Sequence, residues 1–217
     1  MKPAGENDLL THINTGRTGK VIILNDEVSA MNGTANDDYG PVAKTLHWIT
    51  VLLVIVAWTL GMFGDEFSEG PARDSGLLFH IWIGLIVLVI ALVRIPWRVA
   101  NPPPKVLSTE FGKWLVEWTD PASRVVHYVL YGLLVLVPLF GIVLQFARGH
   151  ALPLFGVAAI PSPWLADKTF AHNVKEVHEV LANLLVIVAA FHMTAALVHH
   201  IVFGDSTLRR MLPRLGK

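Results

Sequence analysis

The chain has 217 residues, of which 53% are hydrophobic and 16% charged, with a mean hydropathy of +0.52. A soluble domain is nearer a quarter charged, so the composition indicates a membrane domain, and a net charge of zero offers nothing to a nucleic-acid partner. There is no cysteine, which excludes disulfides, iron–sulfur clusters and covalent c-type haem attachment; ten histidines are the only soft ligands in quantity.

Residues 1–38 are polar, with three Lys/Arg against six Asp/Glu. They read as a cytoplasmic, partly disordered extension, through which an unidentified protein partner could bind. Val21–Leu24 could form a short strand. No apolar run follows Met1, so the start is not a signal peptide. Gly16-Arg-Thr-Gly19-Lys20-Val21 has the wrong spacing for a phosphate loop, and Val21 stands where a magnesium-binding hydroxyl belongs.

Residues 39–217 carry four apolar spans, at about 42–63, 77–94, 124–147 and 177–203. Each has an uncharged centre, and a membrane helix needs roughly 20 apolar residues. Pro41 suits a helix start. The second span is short, and Arg94 can extend it by snorkelling. After Pro102-Pro103-Pro104, Ser108 can cap a short amphipathic helix over Thr109–Trp118. The segment 146–176 reads as a loop. With both termini in the cytoplasm, 13 of the 17 Lys/Arg lie inside, which sets the orientation. The fold class is an all-α membrane protein with a four-helix bundle.

Orientation sorts the histidines by depth. His80 and His178 share a periplasmic level, and His47 and His192 can share a cytoplasmic one. His178 and His192 are 14 residues apart, which returns to within about 40° of one helix face and advances about 21 Å. Buried imidazoles in a span are costly without a ligand or partner. Two axial pairs at two depths, across a bundle, are what two b-type haems require. His127 and His199 also lie in the cytoplasmic half, and spacing alone does not choose among these four. Gly61 and Gly141 are each 14 residues past a histidine, His47 and His127; Gly84 is one turn past His80. Such gaps would make room for a macrocycle, though glycines also simply let membrane helices pack closely.

Several blocks resemble the bacterial cytochrome b561 family of di-haem membrane proteins. They are Tyr39-Gly-Pro-Val-Ala-Lys-Thr-Leu-His47-Trp48, Phe79-His80-Ile-Trp-Ile-Gly84, Val126-His127-Tyr-Val-Leu-Tyr131-Gly132 and Val177-His178-Glu179-Val-Leu-Ala182-Asn183. Phe191-His192, His199-His200 and Gly204-Asp205-Ser-Thr207-Leu-Arg209-Arg210-Met211-Leu-Pro213 complete them. The resemblance implies that His47 and His192 hold one haem b, and His80 and His178 the other. It implies electron exchange with ubiquinone in the inner membrane. The short single-subunit members are linked to oxidising superoxide at the periplasmic side. On that reading His127 and His199 border the quinone, and Arg148, Lys168 and Lys175 are candidates for steering an anion. Arg94 and Arg98 would anchor propionates or lipid phosphates. An alternative is a cytochrome b subunit linking quinone to a dehydrogenase or hydrogenase. A remote one is a histidine-lined metal-ion carrier, which the spans' lack of acidic ligands disfavours.

Overall fold

The computed structural model describes residues 39–64, 69–101, 113–204 and 207–212. The N-terminal extension, with its candidate strand at Val21–Leu24, lies outside them. Four long helices dominate: α1 Pro41–Phe63, α2 Pro71–Ala100, α3 Lys113–Ala147 and α4 Lys168–Ile201. All four are long and apolar enough to cross a membrane. A short α5, Thr207–Met211, follows α4. Helix starts obey local chemistry. Pro41 and Pro71 open α1 and α2, where a missing N–H costs nothing. Asp167 caps α4, its Oδ1 accepting from the Phe170 amide at 3.0 Å.

The helices overshoot the expected spans. α2 runs from Pro71 to Ala100, which removes the shortness of the second span. α4 begins at Lys168, so His172 and Lys175 are helical and not in a loop. The separate amphipathic helix expected over Thr109–Trp118 is corrected: its first residues lie outside the described ones, and from Lys113 the chain is continuous with α3. Pro121 sits inside that helix. One lost amide bond there does not break it, as is usual where neighbouring groups re-satisfy the freed carbonyl.

α1 packs along α2, α2 along α3 and α3 along α4, whereas α4 and α1 touch only sparsely. The core is thin and lies mid-bundle. Val87 and Ala91 of α2, Leu133 and Leu134 of α3, and Leu185 of α4 are buried there. Outward positions stay apolar and exposed, such as Leu52 at 61% and Phe191 at 72%; lipid is the solvent that suits them. Below, the proximal end of the bundle is the one where the chain enters α1, and the distal end is the opposite one.

Between α3 and α4 the chain forms a hairpin that the loop reading missed. β1, Leu152–Leu154, pairs antiparallel with β2, Ala158–Ile160. Its three-residue loop, Phe155–Val157, has φ of 51° at Phe155 and 74° at Gly156, and Val157 N donates to Leu154 O at 3.0 Å. Positive φ is the backbone region in which glycine is favoured, and Gly156 takes one of the two positions. The Phe155 ring is held 5.9 Å from Trp82 of α2.

The sparse α1–α4 seam is bridged by side chains. Trp58 Nε1 donates to Asn183 Oδ1 at 3.0 Å. At the proximal end, Trp48 Nε1 donates to the carbonyl of Met211, tying α5 to α1. Trp58→Phe is expected to lower stability by about 1 kcal/mol, the usual worth of an interhelical bond in lipid. Adding Asn183→Leu should recover most of that loss, because no amide is then left unpaired. Thermal unfolding of both variants in detergent checks it.

Candidate functional site

Two groups of histidines occupy the bundle interior, one toward each end. At the distal end His80 of α2 and His178 of α4 face each other across the diagonal, ring centres 6.1 Å apart and planes at 78°. Each ring is fixed by its other side. His80 Nδ1 lies 2.8 Å from Ala57 O of α1, and His178 Nδ1 lies 3.0 Å from Val137 O of α3. A carbonyl only accepts, so in each neutral ring Nδ1 carries the hydrogen and Nε2 keeps its lone pair.

Glycine makes this docking possible. A Cβ at Gly61 would sit 3.1 Å from His80 Cε1, and one at Gly141 would sit 3.3 Å from His178 Cε1. Gly61 is one turn past Ala57, and Gly141 one turn past Val137. The expectation that these two glycines leave a gap on the faces of His47 and His127 is therefore corrected: the imidazole of the next helix fills the gap. A Cβ at Gly84 would meet nothing within 4 Å.

At the proximal end His47, His127 and His192 gather. His47 is within electrostatic reach of His127, His192 and Arg94. The His127 and His192 rings touch edge to face at 5.0 Å. His127 Nδ1 donates to its own helix, to Ser123 O at 2.6 Å. Arg94 of α2 reaches inward. Its Nη1 donates to Thr50 Oγ1 at 3.1 Å, and its guanidinium lies 5.5 Å over the Tyr131 ring. Its Nη2 is 3.4 Å from His47 Nδ1, a contact too long to fix the His47 tautomer. His199 lies further along, its ring 5.3 Å from Phe203. The expectation that Arg94 anchors propionates or lipid phosphates did not include these protein partners.

The two helical hairpins repeat each other. An 80-residue step carries His47, Ala57 and Gly61 of α1 onto His127, Val137 and Gly141 of α3. A 98-residue step carries His80 and Arg94 of α2 onto His178 and His192 of α4. The contacts repeat as well: His80 on Ala57 and Gly61, His178 on Val137 and Gly141; Arg94 against His47, His192 against His127. The spacing of 14 was visible in sequence for three of these four helices. The arginine at the fourth position hid the last.

Residues 38–214 match the family described as prokaryotic cytochrome b561. The chain belongs to the prokaryotic cytochrome b561 family. It is 31% identical over 176 residues to a probable superoxide oxidase, CybB, of Yersinia pestis, spanning 78% of this chain and 92% of that protein. It is 29% identical to cytochrome b561 homolog 2 of Escherichia coli, over 80% of this chain and 90% of that one. Cytochrome b562 of Cereibacter sphaeroides is 27% identical over 82% of this chain and 98% of its own. This chain is thus a multi-pass bacterial membrane cytochrome b, and haem b is the group its interior should accept.

The distal pair fits that group. Two imidazole nitrogens bound to one iron, each at about 2 Å, put the ring centres about 6 Å apart, and His80 and His178 stand at 6.1 Å. Their Nδ1–H bonds leave the nitrogen that haem iron takes. By contrast, an edge contact at 5.0 Å leaves no such space between His127 and His192. A side chain that displaced either distal ring should loosen the cofactor. Gly61→Val is expected to lower the haem-to-protein ratio of purified protein, and Gly141→Ala to lower it less, as measured by the pyridine haemochrome assay. Equal haem content in wild type and Gly61→Val would contradict the docking role of the glycine.

Proposed function

We propose that the chain carries two haems b, one held by His80 and His178 and one by His47 and His192, and moves electrons from superoxide to ubiquinone. The observation that carries this reading is the distal histidine pair, spaced and tautomerically set for an iron, in a chain 31% identical to a protein named as a probable superoxide oxidase. When bound, the haems supply one-electron transfer between the two ends of the bundle. The rest is done by the chain's own residues.

His47 is preferred to His127 as the partner of His192 on two grounds. α1 and α4 touch sparsely, whereas α3 and α4 pack along their length, so the first seam is the looser one for a macrocycle to enter. The His127 ring also already rests on His192. His127 and His199 are then left to border a ubiquinone at the proximal end, donating hydrogen bonds to its carbonyls and relaying protons as it is reduced. The reaction balances when two superoxide anions leave as two molecules of oxygen, and one ubiquinone takes up two electrons and two protons.

Both termini are placed in the cytoplasm, since that orientation puts 13 of 17 Lys/Arg inside. The distal end then faces the periplasm. Arg148, His150 and Lys168 line a shallow pocket of about 240 Å³ there, beside Asp167. Arg148 is within electrostatic reach of His178. Lys175 is a weaker candidate for steering the anion, because it pairs with Glu179 at 3.2 Å. A surface pair of that kind spends most of its field locally.

His178→Ala and His192→Ala should each leave one haem per chain, at opposite ends. His127→Ala and His199→Ala should keep both haems and slow quinone reduction by roughly tenfold or more, the range of a lost proton donor. Haem quantification beside superoxide-driven quinone reduction tests both. Loss of a haem in His127→Ala, with retention in His47→Ala, would reassign the proximal ligand.

A further inference from the structure

The internal repeat places Arg94 where α4 has His192. Both stand 14 residues past a distal histidine, and both lean on the α1 or α3 histidine of their own hairpin. One of the two equivalent positions thus carries an imidazole, and the other a permanent cation. The partners of Arg94 are neutral: Thr50, His47 and Tyr131. Among the described residues no carboxylate pairs with it. A charge held against neutral side chains beside a span's interior acts more strongly on its neighbours than it would in water.

The field is local. Arg94 is 3.4 Å from His47 but about 21 Å along α2 from the level of His80. The distal level is arranged differently. There Arg148 and Glu179 both act on His178, with opposite sign, and Glu179 is itself paired with Lys175. Arg98 adds to the proximal side, within electrostatic reach of His127 and Arg94. Positive charge near a redox centre favours the form holding one more electron.

We propose that Arg94 is a potential-setting residue: its fixed charge, at a position equivalent to that of His192, makes the His47/His192 haem the electron-accepting member of the pair. The inference rests on the two-haem reading above. One electron leaves the distal centre, which is oxidised, and the proximal centre is reduced. No proton or bond need change at Arg94 itself.

The test is a spectroelectrochemical titration of the purified holoprotein. In the wild type two midpoint potentials are expected, and the haem absent from His192→Ala should be the higher of the two. R94Q should lower that potential and leave the distal one unmoved, while R94K, which keeps the charge, should restore most of the difference. A purely structural arginine would not separate R94K from R94Q in this way. If R94Q sheds its proximal haem, R94K and the wild-type ordering still decide. The proposal is overturned if the haem lost in His192→Ala is the lower-potential one, or if R94Q moves neither potential or both alike. A wild type that binds a single haem would instead bring down the two-haem reading.

Discussion

An imidazole buried among lipid-facing helices must satisfy two nitrogens with no water to help. In this bundle the backbone of a neighbouring helix solves the problem. Ala57 O and Val137 O, carbonyls within α1 and α3, each accept a hydrogen from a histidine ring. That bond needs the ring to lie on the helix surface, and Gly61 and Gly141 are what let it lie there. The bond then fixes which nitrogen keeps a lone pair, and hence the side from which a metal can be bound. A backbone carbonyl, one missing methyl group and one ring together form a unit that the distal site uses twice.

Using it twice imposes symmetry, and the bundle departs from that symmetry in two places. α1–α2 and α3–α4 are equivalent packings, and in an unbroken repeat α4–α1 would match α2–α3. Instead α2 packs on α3, while α4 leaves α1 almost untouched except through Trp58 and Asn183. That seam, beside His47 and His192, is the looser of the two. The second departure is chemical, an arginine in place of a histidine at one proximal position. Together they make one end of the molecule unlike the other.

Much of this could be read from the sequence, because membrane burial makes ionisable residues informative. Charge-free runs located the four helices, and loop charge gave histidines a depth. Depth brought His80 and His178 to one level, and the rings do meet. Spacing could not say which neighbouring helix a side chain touches. Gly61 was therefore assigned to the face of His47 on its own helix, when its contact is His80 on the next. Arg94 was read by its place near a span end, and its inward reach through Thr50 and Tyr131 depends on packing that no single-helix periodicity encodes. The β hairpin left a weak trace, a lone glycine within Leu152–Ile160, and its turn also needs Phe155 at positive φ, which sequence would not suggest.

Between the two histidine levels lies the bundle's aliphatic core. Val87 and Ala91 fall between His80 and Arg94, Leu133 and Leu134 between His127 and the Val137 carbonyl, and Leu185 between His178 and His192. Ala91 has no exposed surface at all. A proton or hydrated ion in this layer would meet no partner among these side chains, and the cost of such a charge in hydrocarbon is several kcal/mol or more. An electron passing between two haems, as proposed above, would need no such partner. On the proposed two-haem reading, the same aliphatic layer that gives the bundle its core would separate the chemistry of the two ends: charge would cross as electrons, and protons consumed at the proximal end would come from that end's own water. His127 and His199 lie on the proximal side of this layer, which is where such protons would have to be delivered.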